Sequence, residues 1–281
     1  MHQIILQGAD ITEAQISHIL PKNKTSSFSQ YVDFTSFLVQ ELPTKQIIQS
    51  WRELLACDVN VLPAGFDPAA VKLVVSDMDS TLINIECIDE IADFGGVKNK
   101  VSEITEAAMR GELDFAESLV ARVSLLAGLN VSVLQNVYDE RLKLNPGAEK
   151  MLAKLKANNI KFALVSGGFT FFTDRLKSRL DLDFTLSNTL ERSGDILTGK
   201  VTGEIIGGEA KAVFLLEKCK ELGILPSQAV AIGDGANDLL MMAEAGLGVA
   251  YHAKPKVQLE ADCALNYSGL EGLPGLLGLF D

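Results

Sequence analysis

Asp77-Met78-Asp79-Ser80-Thr81 comes directly off the apolar run Val71, Leu73, Val74 and Val75. A run this short, rich in β-branched residues and ending in an acidic loop, reads as a buried parallel strand. Such a strand delivers its side chains to the carboxyl edge of a sheet, where open α/β sheets bind ligands. Asp77 and Asp79 are therefore expected in a ligand crevice.

Downstream of that strand the periodicity turns helical as far as Leu142. Ile88, Ile91, Ala92 and Phe94 mark one helix, closed by Gly95-Gly96, and Val97, Val101, Ile104 and Ala108 mark a second, ended at Gly111. Asp114 caps a third, with Phe115, Leu119, Val123 and Leu126 on one face, and Val131 to Leu142 supplies a fourth. No strand signal interrupts them, so residues 86–143 read as an inserted four-helix cap.

Alternation resumes at Asn145-Pro146-Gly147. A helix over Ala148 to Asn158 precedes the strand Ile160 to Val165, which ends in Ser166-Gly167-Gly168. Phe169 to Leu180 is helical, Phe184 to Ile206 reads as short strands turning at Ser193-Gly194-Asp195, and Glu209 to Leu222 is helical again. Ala229 to Ile232 runs into Gly233-Asp234-Gly235-Ala236-Asn237-Asp238, and Gly248 to Tyr251 and Ala261 to Leu265 are the last strands. This order predicts an α/β fold with a doubly wound parallel sheet over residues 70–85 and 144–281.

Upstream, residues 1–66 alternate as β-α-β-α-β over Ile4 to Leu6, Ile11 to Leu20, Tyr31 to Val39, Lys45 to Ala56 and Val59 to Leu62. They read as a separate small α/β domain, joined on by the linker Pro63 to Pro68. Trp51, with Ile47, Ile48, Leu54 and Leu55, belongs to its core. The order is loosely similar to ligand-binding modules of the ACT type, which leaves dimerisation of the chain as a homodimer, regulation and passive packing all open.

The 281 residues are 47% hydrophobic, enough for a well-buried core and for more than one domain. A formal charge of -12 without a basic cluster argues against a nucleic-acid or anionic-membrane partner. Positive charge for an anionic substrate must then be local. Cys57, Cys87, Cys219 and Cys263 lie far apart with no Cys-x-x-Cys pair, which suggests neither a zinc site nor a disulfide framework and fits a reducing cytoplasm. The first residues carry no basic region, and no apolar stretch is long enough to span a bilayer.

Three strand ends carry functional groups, at 77–81, 166–168 and 233–238, and strand ends of a doubly wound sheet converge on one crevice. An Asp-x-Asp pair alone is usually a solvated loop. A third acid, Asp234, arriving from another strand changes that, because three carboxylates in one crevice repel each other unless a cation sits among them. Oxygen ligands without His or Cys select Mg²⁺. Gly167, Gly168, Gly233 and Gly235 allow tight turns with N–H groups open to an anion, and Ser166 adds a hydroxyl. Two such turns beside a metal favour a phosphate ligand.

Asp77-Met78-Asp79-Ser80-Thr81, Ser166-Gly167, Lys211 and Gly233-Asp234-Gly235-Ala236-Asn237-Asp238 resemble the four motifs of the haloacid dehalogenase (HAD) superfamily of phosphotransferases, from about residue 71 to the chain's end. The longer strings DMDSTLINIECIDEI (77–91), MRGELDF (109–115), SGGFTFF (166–172) and AIGDGANDL (231–239) resemble its branch that acts on O-phospho-L-serine. The resemblance implies a Rossmann-like core and a Mg²⁺-dependent hydrolysis of that small-molecule ester to serine and phosphate, the last step of serine biosynthesis. Asp77 would be the nucleophile that forms an aspartyl-phosphate, and Asp79 the acid and then the base. Asp77, the Asp79 carbonyl and Asp234 would hold Mg²⁺, Lys211 would place positive charge beside nucleophile and phosphate, and Asn237 would bond near the phosphate with Ser166 and Gly167. Asp238 would hold Lys211 or metal-bound water. Transfer to an alcohol such as homoserine uses the same base and stays open, while a receiver-like phospho-acceptor needs no lid and no Asp79.

The cap adds its own signal. Arg122 falls on the apolar stripe of its helix, seven residues after Phe115, three after Leu119 and four before Leu126. A charge there needs a partner, and position alone leaves a salt bridge and a carboxylate ligand both open. The resemblance implies the substrate's α-carboxylate. Glu86, which position alone reads as a solvated face, is implied as the partner of the substrate's ammonium group, and Met109 and Phe115 as pocket walls, though Phe115 fits a core role equally well.

Overall fold

The computed structural model describes residues 2–8, 25–30, 34–39, 41–109 and 112–279. The N-terminal part forms a small antiparallel sheet of β1 (His2–Gln7), β2 (Thr25–Gln30), β3 (Phe34–Val39) and β4 (Asp58–Val61), in the order β2-β3-β1-β4. Helix α1 (Lys45–Leu55) packs on it. Thr44 caps the helix by accepting from the Ile47 N–H, and Ile48, Trp51 and Leu55 join Ile4, Leu6, Phe37 and Val59 in a core of their own. β2 departs from the expected pattern. Thr-Ser-Ser-Phe-Ser-Gln has too little apolar alternation to announce a strand, and pairing with β3, Phe28 opposite Phe37, makes it one. The helix expected over Ile11 to Leu20 lies outside the described residues, and the strand expected from Tyr31 is described from Phe34.

Buried polar side chains help seat this unit on the rest of the chain. The fully buried Asp58 carboxylate accepts from the N–H groups of Asn266, Tyr267 and Ser268 and from the Ser268 hydroxyl. Asn60 accepts from the Ala264 N–H and donates to the Ala264 carbonyl, and Gln7 donates to the Gly272 carbonyl. These bonds are directional and removed from water, so they specify one seating.

Among the described residues the second sheet has seven strands: β5 (Leu73–Ser76), β6 (Lys161–Phe169), β7 (Phe184–Ser193), β8 (Ile196–Thr202), β9 (Ala229–Gly233), β10 (Leu247–Tyr251) and β11 (Cys263–Leu265). Their order is β11-β10-β9-β5-β6-β7-β8, parallel throughout except for β8, which returns antiparallel on β7. Alternate residues of β5 face two different cores. Val74 packs with Leu164, Val230 and Ile232, while Leu73 and Val75 pack with Ala163, Val165, Ala229 and Ala231. Coverage on both faces is why this strand reads as an unbroken apolar run. Ser76 lies opposite Leu164 of β6 and Ile232 of β9, so Asp77, Ser166 and Asp234 emerge side by side at one edge.

One strand runs well past its expected limit. β6 continues beyond Val165 through Ser166-Gly167-Gly168, with a register shift between Ser166 and Phe169, because Ser187 and Asn188 of β7 supply ladder partners. The short strands expected over Phe184 to Ile206 are one two-stranded ribbon, β7 and β8. Between β10 and β11, residues Pro255–Glu260 are helical.

Between β5 and β6 the described chain carries helices α2 (Cys87–Phe94), α3 (Lys98–Met109), α4 (Phe115–Ser124) and α5 (Ser132–Glu140), followed by α6 (Ala148–Ala157) against the sheet. Asp114 and Glu117 start α4 with a reciprocal capping box. Ile91, Val101, Leu119, Val123, Leu126, Leu134 and Val137 are buried in one apolar cluster with Val74 and Leu164 of the sheet, each such side chain contributing about 1.5–3 kcal/mol. The insertion is therefore packed onto the sheet. Among the described residues no helix is long and apolar enough to cross a membrane.

Candidate active site

The segment after β5 sends its two acids in different directions. Met78–Leu82 makes one wide turn, closed by the Ile83 N–H donating to the Met78 carbonyl at 3.0 Å, and within it Asp79 is extended while Ser80 has φ +54°. A left-handed non-glycine residue costs about 1–2 kcal/mol and persists where its surroundings overdetermine it. Here the Ser80 N–H donates to the Ile85 carbonyl at 3.1 Å, and its hydroxyl donates to Glu86 Oε1 at 2.6 Å.

Lys211, on the helix Gly208–Leu222, is fully buried with its Nζ 2.8 Å from Asp77 Oδ1 and 2.7 Å from Asp238 Oδ1. Burial alone would lower the pKa of that ammonium, but the charges of Asp238 and Asp77 outweigh it and raise the pKa. Asp77 Oδ1 also accepts from the Met78 N–H at 2.7 Å, and Asp238 Oδ2 accepts from the Gly235 N–H at 3.0 Å. The Thr81 hydroxyl reaches Asp234 Oδ1 at 3.3 Å.

Carboxylate oxygens of Asp77, Asp234 and Asp238 lie within 4.8 Å of one another. A single ammonium cannot balance them. Burial first, and then the charge of Asp238, hold the Asp77 carboxyl well above the ordinary range and push Asp234 up to about 6. An all-oxygen, strongly negative donor set of this kind fits a hard divalent cation, whose charge would reverse the repulsion. Asp238 commits both its oxygens to Lys211 and the Gly235 N–H. Among the described bonds Asp77 uses Oδ1 alone, and Asp234 accepts from Thr81.

Asp79 is held by another set of donors. Its Oδ1 accepts from the Cys87 N–H at 2.9 Å and its Oδ2 from the Ser166 hydroxyl at 3.2 Å, and that hydroxyl accepts from the Gly168 N–H at 2.7 Å. Burial raises the Asp79 carboxyl, and the hydrogen bonds from Cys87 and Ser166 oppose the shift. The fit is close: a Cβ on Gly168 would stand 2.5 Å from Asp79 Oδ2 and 3.0 Å from Ser166 Oγ, so this position needs glycine. A Cβ on Gly167 would stand 2.7 Å from the Phe115 ring. Phe115, at the first position of α4, thus leans on the Ser166–Gly168 segment as well as on the core.

Arg122 is half-buried on α4. Among the described contacts its Nε donates to the Ser118 carbonyl at 3.3 Å, a weak bond that leaves the guanidinium fork free. Burial lowers its pKa while Asp89, Glu86 and Asp79 raise it, which places it facing the acids of the crevice. Glu86 keeps solvent contact at the mouth. Crowding by protein atoms, and then the charge of Asp79, push its carboxyl up to about 8, with the Ser80 hydroxyl opposing. It is no ordinary solvated acid, although nothing in its spacing said so. Asn237 is half-buried in the turn that begins at Gly235, and Met109 ends α3 with its side chain outside the described residues.

Sequence reasoning passed over four residues. Thr81 and Cys87 bond Asp234 and Asp79 as given above, Asp89 faces Arg122, and Asn188 joins two segments by donating to the Gly167 carbonyl and accepting from the Ile206 N–H, each at 2.8 Å. Thr81 and Cys87 lie within or beside the acidic motif. Asn188 carries no signal, because its role depends on which strand β6 pairs with.

A doubly wound sheet with a helical insertion and four carboxylates around one buried lysine defines an enzyme site of the phosphotransfer kind. A family profile of haloacid dehalogenase-like hydrolases matches residues 71–246, and the chain belongs to that family. A phosphoserine phosphatase of Polaromonas sp. is 54% identical to it over 220 residues, 76% of this chain and 93% of the relative. The crystal structure of a probable phosphoserine phosphatase from Vibrio cholerae, in unliganded form, is similar with a TM-score of 0.85 at 40% identity, over 99% of this chain and 86% of that one. A phosphoserine phosphatase solved as a phospho-aspartyl intermediate analogue is similar with a TM-score of 0.69 at 39% identity, over 73% of this chain and 98% of that one.

Proposed function

We propose that the chain hydrolyses O-phospho-L-serine to L-serine and phosphate through an aspartyl-phosphate on Asp77, as the last step of serine biosynthesis in the cytoplasm. The observation that carries this reading is the division of labour two residues apart: Asp77 is fixed by Lys211, and Asp79 by Ser166 and the Cys87 N–H. Residues 86–143 act as a cap over a core of 70–85 and 144–281, with 1–66 a separate unit. An assay of phosphate release over a panel of small phosphate esters tests it, and phosphoserine ranking below simple esters overturns it.

In the first step the Asp77 carboxylate attacks phosphorus, the bond from phosphorus to the serine oxygen breaks, and Asp79 gives its proton to that oxygen. The raised pKa of Asp79 suits it to carry that proton. In the second step Asp79, now a carboxylate, takes a proton from water as the water attacks phosphorus, and phosphate leaves with Asp77 restored. Lys211 offsets charge on Asp77 throughout, and the Ser166 hydroxyl with the Gly167 and Asn237 region receives the phosphoryl oxygens. Mg²⁺, held by Asp77, the Asp79 carbonyl and Asp234, would supply charge neutralisation on the transferring phosphoryl group.

Substrate choice falls to the insertion. Arg122 takes the α-carboxylate, Glu86 the ammonium, and Phe115 with Met109 walls the pocket. Arg122→Ala is expected to lower kcat/KM for phosphoserine about 100-fold, mainly through KM, and Arg122→Lys to recover little of it, since a lysine lacks the two-point fork. A loss of less than threefold in steady-state kinetics would remove Arg122 from the site.

Glu86 sets a pH dependence. With its carboxyl up to about 8, it is neutral below that pH and pairs with an ammonium above it. kcat/KM for phosphoserine should therefore rise with pH through about 8, and Glu86→Gln should lose that limb. A pH profile of the variant unchanged from wild type contradicts the assignment.

Metal removal has two readouts. Chelation by EDTA abolishes turnover and Mg²⁺ restores it, and Mg²⁺ raises the Tm of the chelated protein because it binds the folded state alone. In the metal-free protein a folded pKa raised to about 6 at Asp234 favours folding below the ordinary carboxylate range, and that contribution is lost as pH rises through about 6. The Mg²⁺-induced rise in Tm should accordingly be larger at pH 7.5 than at pH 5 (roughly one unit or more either side of that midpoint). Equal rises at both values count against a metal at this carboxylate set.

A further inference from the structure

The chain leaves the sheet after β5, makes the insertion, and returns at residues 142–147. Where it returns, it is stitched to the outgoing strand. Ile83 and Leu144 form an antiparallel bridge, the Asn84 N–H donates to the Lys143 carbonyl at 3.0 Å, and the Lys143 N–H donates to Asn84 Oδ1 at 2.8 Å. Asn145 does more than close this crossing. Its Nδ2 donates to the Thr81 carbonyl at 2.8 Å and the Ile83 carbonyl at 3.0 Å, and its own N–H donates to the Leu82 carbonyl at 3.0 Å.

One residue thereby satisfies three successive carbonyls, on residues that are all fully buried and that follow directly on Asp79-Ser80. Buried carbonyls need partners, so the chain must sit where Asn145 can serve all three. The first of those residues, Thr81, carries the hydroxyl that reaches Asp234 at 3.3 Å. On its other side the same turn contains the left-handed Ser80, held by the Ile85 carbonyl. Strain in this turn is stable only while both flanks are pinned.

We propose that Asn145 is a positioning residue for the reacting loop: it sets the backbone after Asp79 and, through Thr81, the placement of Asp234. It touches neither substrate nor reacting atoms. The proposal rests on the reading of Asp77 and Asp79 as the reacting carboxylates. The competing explanation is that Asn145 merely favours the Asn-Pro-Gly turn and starts α6, where the Ala148 N–H donates to its carbonyl at 3.2 Å. Asp suits that turn as well as Asn does and keeps the backbone N–H to Leu82, but its side chain offers no N–H donors to the Thr81 and Ile83 carbonyls.

The test is a double-mutant cycle in the full-length protein with Asn145→Ala, Asn145→Asp and Thr81→Val. Each single variant is expected to lower kcat about tenfold with KM for phosphoserine within about twofold, and the doubles to fall no further than the worse single. Both Asn145 variants should also show a smaller Mg²⁺-induced rise in Tm than wild type. Wild-type kcat in Asn145→Asp, or effects that multiply in the doubles, overturns the proposal. Asn145→Ser, which keeps one donor, is read the same way if the others do not fold. Absence of phosphoserine turnover in wild type defeats the functional reading instead, and the Tm comparison then still decides the coupling of Asn145 to the carboxylates.

Discussion

Asp77→Asn is expected to abolish turnover while leaving the metal-free protein folded and no less stable. An amide oxygen is too poor a nucleophile to displace an alkoxide at phosphorus, so the loss in kcat should be at least roughly 10⁴-fold, or about 5 kcal/mol of barrier. Stability goes the other way. Burial and then the charge of Asp238 raise the pKa of Asp77, so the contribution of this carboxyl favours folding at low pH and is lost as pH rises through the folded pKa. A neutral Asn relieves that repulsion, although it also gives up the full ion pair with Lys211. Thermal unfolding in EDTA at neutral pH should give a Tm at or above wild type. Mass spectrometry of acid-quenched protein should find a phosphoryl adduct on wild type and none on the variant. Turnover above about 1% of wild type would move the nucleophile elsewhere.

Lys211→Met should cost both activity and fold. The side chain is fully buried and its ammonium bridges two carboxylates, Asp77 at 2.8 Å and Asp238 at 2.7 Å. Methionine fills nearly the same volume, so the loss isolates the charge. Two buried carboxylates without a counter-charge destabilise the protein by about 3–5 kcal/mol, measured by urea unfolding in EDTA. The raised pKa of Lys211 in wild type places its stabilising contribution below the pH at which an ordinary lysine deprotonates, and it is lost only as pH climbs through the higher folded value. Acid, which protonates the raised Asp77 carboxyl, should narrow the gap between variant and wild type. Adding Asp238→Asn should restore part of the stability and none of the turnover. A loss under about 1 kcal/mol at neutral pH would show that Lys211 is not the main charge partner of this cluster.

Much of this was legible before any coordinates. Apolar β5 ending in Asp77 and Asp79, the Ser166-Gly167-Gly168 end of β6 and the Gly233–Asp238 turn are local patterns, and parallel order follows from their alternation with helices. Arg122 was legible as a charge on an apolar stripe, since helical spacing needs no partner to be counted. β2 was not, because Thr25–Gln30 becomes a strand only by pairing with β3. Glu86 is exposed, as its position suggests, and its spacing does not show the crowding by protein atoms, and then the charge of Asp79, that raise its carboxyl.

The acids of Asp77-Met78-Asp79-Ser80-Thr81 were identified by sequence alone, together with the strand that carries them and the turns that face them. Which way each acid points was decided by tertiary structure. Asp77 meets Lys211 while Asp79 meets Ser166 and Cys87, each group arriving from a distant segment, and the left-handed Ser80 that follows them is held by Ile85 and Glu86, with Asn145 on the next carbonyl. Residue type and periodicity are properties of neighbouring positions, so a sequence displays them. A strained turn is stable only once distant segments have closed around it.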